Sequence, residues 1–188
     1  MLLATAAADI VSVFLCLMAA DFITGLVHWT EDTWTAPGKS RLLDKWIVLD
    51  NIEHHRRPGS IRNGAYWTTN RVCIAGATIV VGTFAVLHVH AWQPYLIAAL
   101  ASQGNQIHMW AHRSDRPGWV RRLQSAGLLQ SRAHHGRHHL NPYAVRFCAF
   151  TDYLNPILDA THFWRGLEWL PQRLGATVQR ATPARGGY

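Results

Sequence analysis

Long apolar segments separated by polar, basic stretches dominate the pattern of hydrophobic and polar positions along the chain. The first apolar segment runs from about residue 2 to residue 29 and is interrupted only by Asp9 and Asp21. Residues 73–112 contain no Asp, Glu, Lys or Arg, and this is enough length for two helical crossings of about 20 residues each. The pattern therefore predicts an all-α, multi-pass membrane protein with about three transmembrane helices.

We place the second crossing at about residues 72–87 and the third at 95–112, joined by the uncharged turn 88–94. A cleaved signal peptide is the alternative interpretation of the first apolar segment. It is disfavoured because no Lys or Arg precedes that segment.

The distribution of charge predicts the orientation. The net charge is +7, but the basic residues lie in loops beside apolar segments and form no single basic stripe, which argues against nucleic-acid binding. Basic loops are retained in the cytoplasm, so residues 30–71 and 113–188 should face the cytoplasm and 88–94 the opposite side. The three cysteines are widely spaced and indicate neither a disulfide framework nor a thiolate metal site.

The length predicts a single integral membrane domain over residues 1–175, followed by a loose tail rich in Pro, Ala and Gly at 176–188. Near the end of this domain, Asn155-Pro156 is followed by apolar and aromatic residues up to Trp169, which is typical of a helix lying at the membrane interface.

The twelve histidines supply the candidate chemistry. On the first helix, Asp21, Gly25, His28 and Asp32 have the spacing of one helix face, and an Asp inside a membrane segment is costly enough to suggest function. For His28 alone, an ordinary polar residue at headgroup level remains the alternative. For Asp32, the alternative is a residue that caps the following turn.

Three further clusters lie in segments that the predicted topology brings to the same face as His28. They are Glu53-His54-His55, the run Asn105 to His112 with His108 and His112 one turn apart, and His134-His135-Gly136-Arg137-His138-His139. Taken singly, these could be a solvated loop, interhelical hydrogen bonds and a chance chelating surface. Together they form a histidine-rich cap with more ligands than one zinc site needs, so two metal ions are indicated. Nitrogen-rich ligation without thiolates suits iron, copper or zinc.

The chain resembles the Kua/CarF lipid desaturases, a family that includes plasmanylethanolamine desaturase. The resemblance covers about residues 19–170. It is carried in order by the segments 20–34, 53–55, 105–112, 134–139 and 154–156. The first histidine box reads His28-x-x-x-Asp32, and the second lacks its leading His, having Asp50 or Asn51 there.

The resemblance implies a di-iron, O₂-dependent lipid desaturase with two non-haem iron ions. Its most specific form predicts a vinyl-ether double bond introduced into an alkyl ether phospholipid. The implied metal ligands are His28, Asp32, His54, His55, His108, His112, His134, His135, His138 and His139. The residues expected to support them from behind are Asp21, Glu53 and Asn105.

The electrons would come from a separate partner such as a cytochrome b5 or ferredoxin, since no haem, ferredoxin or flavin motif is visible in the sequence. The active site should face the cytoplasm, in the inner membrane of a bacterium or the endoplasmic reticulum of a eukaryote. Acyl-chain desaturation and lipid hydroxylation are the enzymatic alternatives. A histidine-lined metal transporter or a haem-binding membrane subunit are the non-enzymatic ones, disfavoured because the clusters lie at the membrane edge.

Overall fold

The computed structural model describes residues 2–140 and 142–180, and this part of the chain contains helices and no strand. It confirms the predicted all-α class. The helices are α1 (Leu2–Trp34), α2 (Arg41–Leu43), α3 (Leu49–Arg56), α4 (Tyr66–Val86), α5 (Gln93–Ala101), α6 (Gly104–His112), α7 (Gly118–Ser125), α8 (Arg132–Gly136), α9 (Leu154–Ala160) and α10 (Phe163–Arg173). A π-helical turn at Asp44–Val48 joins α2 to α3, and a 3₁₀ turn at Ser60–Asn63 follows α3.

α1 is a single helix of 33 residues, about 50 Å long at the standard rise. Its N-terminal half exposes apolar side chains, with Ile10 71% and Leu15 60% exposed, and its C-terminal end carries the buried polar residues His28 and Asp32. Because the helix exceeds the hydrocarbon thickness of about 30 Å, it can both span a bilayer and project its polar end beyond the hydrocarbon.

Two helical stretches of the described chain are long and apolar enough to span a membrane, Thr5–Trp34 and Tyr66–Val86. The predicted crossing at 95–112 is instead divided into α5 and α6, with a turn at 102–103. Each of these helices has nine residues and is about 13 Å long, less than the hydrocarbon thickness. The turn redirects the chain so that Gly104 packs against α1, where an added Cβ would lie 3.0 Å from Thr24 Cγ2.

The C-terminal helices pack against the polar half of α1. The predicted interfacial helix is divided into α9 and α10 by a turn at His162, whose φ is +54°. Trp164 of α10 is buried and stacks on Trp29 of α1 with ring centroids 6.2 Å apart. Trp169 points outward, so only part of this amphipathic segment remains available for an interface.

The last described residues return to α1. Gln179 N donates to the Thr33 carbonyl at 2.8 Å, and Arg180 makes two 2.8 Å hydrogen bonds to the Glu168 carboxylate. Of the predicted tail, residues 181–188 lie outside the described residues.

Candidate metal centre

Nine potential ligand side chains converge beside the C-terminal end of α1 and form two adjacent groups. The five-histidine group consists of His54, His108, His112, His135 and His139. The Asp32 group consists of His28, Asp32, His55 and His138. Within each group the candidate ligand atoms lie within 4.8 Å of one another. The groups adjoin, since the rings of His28 and His108 have centroids 5.5 Å apart.

The spacing of two histidines in the sequence determines whether they enter the same ligand group or different groups. Pairs one turn apart enter the same group: His108 with His112 on α6, with Nε2 atoms 3.2 Å apart, and His135 with His139, with Nε2 atoms 3.0 Å apart. Neighbours in sequence enter different groups. His54 and His139 belong to the five-histidine group, whereas His55 and His138 belong to the Asp32 group.

The Asp32 carboxylate occupies the middle of its group and is buried. Its Oδ1 accepts from Asn51 Nδ2 at 2.8 Å and lies 3.0 Å from His55 Nε2. Its Oδ2 lies 3.2 Å from His138 Nε2 and 3.6 Å from His28 Nε2. Of the two residues at the position of the missing second-box histidine, Asn51 therefore contacts the ligand group, while Asp50 pairs with Arg71.

The connection between α8 and α9 sets the orientation of two imidazoles. His138 Nδ1 donates to the Val145 carbonyl at 2.9 Å, and His28 Nδ1 donates to the Phe147 carbonyl at 3.0 Å. A carbonyl oxygen only accepts, so both imidazoles carry a proton on Nδ1 and direct Nε2 toward the Asp32 group. This arrangement is the one by which metal-bound histidines are usually oriented.

The 145–151 segment that provides these carbonyls is itself fixed on both sides. Asn155 holds the Cys148 backbone through two hydrogen bonds, to its N–H at 2.9 Å and its carbonyl at 2.7 Å. Asp21 Oδ1 accepts from the amides of Phe150 and Thr151 at 2.9 and 3.1 Å. Gly25 allows the segment to approach α1, since a Cβ there would lie 2.6 Å from Cys148 Sγ.

Burial favours the neutral form of three candidate ligands that lie outside the candidate membrane helices. Burial lowers the pKa of His54 and His135 well below the usual value, and repulsion from neighbouring imidazoles lowers it further. Burial and the proximity of His138 lower the pKa of His139 to about 2. Because a metal binds the neutral imidazole, these side chains are in the ligating form without losing a proton.

The donor set fits two metal ions. Several buried ligand atoms lack a hydrogen-bond partner: His28 Nε2, His138 Nε2, Asp32 Oδ2, and both ring nitrogens of His54. Buried polar atoms are rarely left unsatisfied, and within each group the candidate ligand atoms lie within 4.8 Å of one another. Metal ions would satisfy them together, and imidazole with carboxylate suits first-row transition metals.

Four predicted residues lie outside both groups. His134 turns away, with its ring nitrogens near Arg146 Nη1 and Asn155 Nδ2, and burial lowers its pKa to about 4. Asp21 contacts the 145–151 segment and no histidine. Glu53 forms an ion pair with Arg57, and Asn105 donates to the Thr69 carbonyl. Sequence reasoning missed the Val145 and Phe147 carbonyls, because a backbone acceptor leaves no residue signature.

A large apolar slot leads to both ligand groups. It has a volume of about 930 Å³ and is formed mainly by α1, α3, α4, α5 and α6. At one end His28 of the Asp32 group and His54 and His108 of the five-histidine group line its wall, and at the other end Phe84 and Ile97 do so. Small residues such as Gly76 leave the middle of the slot open.

Two helices of membrane-spanning length, two groups of candidate metal ligands and an apolar slot together suit a membrane-associated metalloprotein whose slot accepts a long apolar ligand. The lipid desaturase domain matches residues 17–181, and the chain therefore belongs to the lipid desaturase family. This confirms the resemblance inferred from the histidine motifs.

Several relatives are similar to most of the chain. Plasmanylethanolamine desaturase 1 of Mus musculus is 31% identical over 182 residues, covering 87% of this chain and 65% of its own length. Plasmanylethanolamine desaturase of Myxococcus xanthus is 28% identical, covering 94% and 68%. The chloroplastic fatty acid desaturase 4-like 2 of Arabidopsis thaliana is 29% identical, covering 79% and 54%. The chain thus spans about two thirds or less of the length of these relatives. No solved structure matches it.

Proposed function

We propose that the chain is a di-iron lipid desaturase that uses O₂ to introduce a vinyl-ether double bond into an alkyl ether phospholipid. Membership of the lipid desaturase family supports desaturation in general. The names of the mouse and Myxococcus relatives favour the ether lipid as substrate.

The observation that carries this proposal is the position of both ligand groups at one end of the slot. His28, His54 and His108 line its wall, so a chain inside the slot would pass both groups. The α4 residues that line the slot extend from Thr68 to Phe84, about 24 Å along the helix axis. One lipid chain covers about half of the 30 Å hydrocarbon thickness, so the slot can enclose it.

Two iron ions, when bound by the two groups, would supply the oxidising chemistry by which O₂, two electrons and two protons become water as two neighbouring carbons each lose a hydrogen. The protein contributes position and exclusion of water. The apolar wall holds the chain straight beside the histidines, and the 145–151 segment keeps the Nε2 atoms of His28 and His138 directed inward. All nine side chains of the two groups would be ligands.

The topology that we propose places the site at the cytoplasmic surface. α1 is long enough to carry His28 and Asp32 past the hydrocarbon, and the basic loops favour the cytoplasmic side. A separate cytochrome b5 or ferredoxin would deliver the electrons there, attracted by the arginines after residue 113. The broken α5–α6 segment would complete the third crossing or line the slot within the membrane.

Lipid analysis tests this function. Total lipids from cells with and without the gene are compared for acid-labile vinyl ethers and for new acyl double bonds. A vinyl ether that requires the gene is expected. Double-mutant cells with His138→Ala and His139→Ala, one from each group, should resemble cells without the gene. The same vinyl-ether content in all three strains would refute the proposal.

Acyl-chain desaturation is the second candidate, favoured by the name of the Arabidopsis relative. The slot takes a hydrocarbon chain whichever linkage joins it to glycerol. A new acyl double bond in the same comparison, without vinyl ethers, would select this activity, and a hydroxylated chain would select hydroxylation.

A further inference from the structure

The polar end of the slot contains a guanidinium with no role in the metal centre. Among the described residues that line the slot, Arg71 of α4 is the one arginine or lysine. Trp46 and Asp50 line the slot beside it. The slot is apolar along most of its length, and its polar end carries this one guanidinium beside the acidic side chains of Glu31, Asp50 and Glu53. A cationic group at the end of an apolar slot is suited to the anionic group of a ligand with a long chain.

Two contacts hold the guanidinium in place: an ion pair with Asp50, which a ligand can displace, and a contact with the Trp46 ring, which a ligand can leave intact. Arg71 Nη2 lies 3.0 Å from Asp50 Oδ2, and the side chains are 37% and 71% exposed. An ion pair this exposed stabilises little, so a phosphate can displace the carboxylate. The Trp46 ring lies 4.8 Å below the guanidinium carbon and leaves its donors free for a second partner.

We propose that Arg71 binds the phosphate of the phospholipid whose chain occupies the slot. The proposal rests on the proposed function in that the slot takes a phospholipid chain. Arg is suited to this task because its planar fork donates two parallel hydrogen bonds to a phosphate. Asp50 holds the guanidinium at the slot when no lipid is present.

The depth of Arg71 in α4 agrees with the depth of a phospholipid headgroup. It lies near the start of the helix, little more than one turn after Tyr66 and Trp67, whose side chains are 39% and 72% exposed. Exposed Tyr and Trp at the end of an apolar helix are typical of the membrane interface.

The same residue sets which carbons reach the histidines. Asp50 and His54 lie one turn apart on α3, with Cβ atoms about 6 Å apart, and Arg71 contacts Asp50. A phosphate on Arg71 would therefore approach α3 at the turn before His54, at the end of the slot where the ligand groups lie. The carbons at the metal centre are then those nearest the glycerol, and the double bond forms at the start of the chain.

A binding measurement tests the role of Arg71 without requiring turnover. The full chain in detergent is titrated with phosphatidylethanolamine and with diacylglycerol of the same chains, which lacks the phosphate. The native protein should prefer the phospholipid by about ten- to a hundredfold, the value of a charged hydrogen bond. Arg71→Gln should abolish this preference, and Arg71→Lys should retain part of it.

Arg57→Gln is the matched control, because Arg57 is an exposed arginine paired with Glu53 but does not line the slot. It should retain the preference to within about twofold.

Equal metal content in all variants shows that they are folded. If Arg71→Gln misfolds, Arg71→Lys still decides, because loss of the planar fork should reduce the preference. Full preference in either folded Arg71 variant overturns the proposal. Displacement of the lipid by inorganic phosphate at matched concentration also overturns it, since a free-anion site would then explain Arg71.

The product distinguishes this inference from the proposed function. In an active protein, Arg71→Gln should spread the double bond over several positions, as the chain slides when its phosphate is unanchored. In one outcome, the protein shows a phospholipid preference that depends on Arg71 and yet forms no double bond. That result would support the phosphate site and contradict the proposed desaturase activity. A single unchanged double-bond position in Arg71→Gln would reject the anchor.

Discussion

Asp32 lies where the imidazoles of His28, His55 and His138 converge, and Asn51 donates to the same oxygen, Oδ1, that His55 contacts. A buried carboxylate without partners is costly, and here its Oδ2 has no hydrogen bond. The arrangement suits a ligand that reduces the positive charge of a bound cation. Shared binding of one metal ion would explain why Asp32 lies one turn after His28, whereas a residue that only caps a helix needs no such spacing.

We predict that Asp32→Asn lowers iron affinity about ten- to a hundredfold, because the amide keeps the size of the side chain and removes its charge. Iron occupancy is measured after dialysis against a graded series of chelator concentrations. Asp44→Asn is the control, since the Asp44 carboxylate also accepts a hydrogen bond, in its case from the Gly38 amide, but belongs to neither ligand group. Equal iron retention in Asp32→Asn and the native protein would show that Asp32 is no ligand.

At the scale of helices and segments, the sequence predicts which side chains share one face of a helix, because local periodicity alone decides this. The pairs His108 with His112 and His28 with Asp32 share a group because one helical turn brings them together. Long-range packing decides the rest. The turn at 102–103 and the reorientation of His134 toward Arg146 depend on contacts with distant parts of the chain, which no spacing encodes. The 145–151 segment orients histidines through backbone carbonyls and is equally invisible in the sequence.

Gly25→Ala tests that segment. A Cβ at Gly25 would lie 2.6 Å from Cys148 Sγ and 3.1 Å from its Cα, so the segment has to move away from α1. We expect a loss of about 1–3 kcal/mol in stability, together with weaker iron binding as His28 loses its carbonyl partner. Thermal unfolding in detergent and iron occupancy measure the two effects.

Gly82→Ala on α4 is the control, because its Cβ meets nothing within 4 Å. Alanine normally stabilises a helix relative to glycine by about 1 kcal/mol, so the control should be neutral or more stable. The same gain in Gly25→Ala would contradict the close packing of the 145–151 segment on α1.

At the scale of the molecule, α1 and α4 each present one surface to the lipid and another to the slot. Their exposed apolar surfaces, including Ile10 and Ile79, suit a lipid environment. Their facing surfaces enclose the slot that ends at His28 and His108. The sequence predicts the membrane helices and the clustered histidines, but the slot arises only when α3, α5 and α6 pack around them.

Gly76→Leu tests the slot by filling it about 12 Å along α4 from Thr68. We expect turnover of long-chain substrates to fall about tenfold or more, while lipids whose chains end before Gly76 are still converted. Iron content should not change, since Gly76 contacts no ligand. Gly82→Leu places the same side chain on α4 outside the slot and should leave both chain lengths unaffected. Equal losses for short and long chains would show that the chain does not pass Gly76.

The nine side chains of the two groups are proposed to hold two iron ions side by side. The most direct test of this proposal is the iron content per chain of the full-length protein, purified from membranes of iron-replete cells and measured by mass spectrometry against amino-acid analysis. We expect two irons per chain, and about none in the His138→Ala, His139→Ala variant, which removes one ligand from each group. One iron or fewer in the native protein at saturation, or two irons retained in the variant, would contradict it.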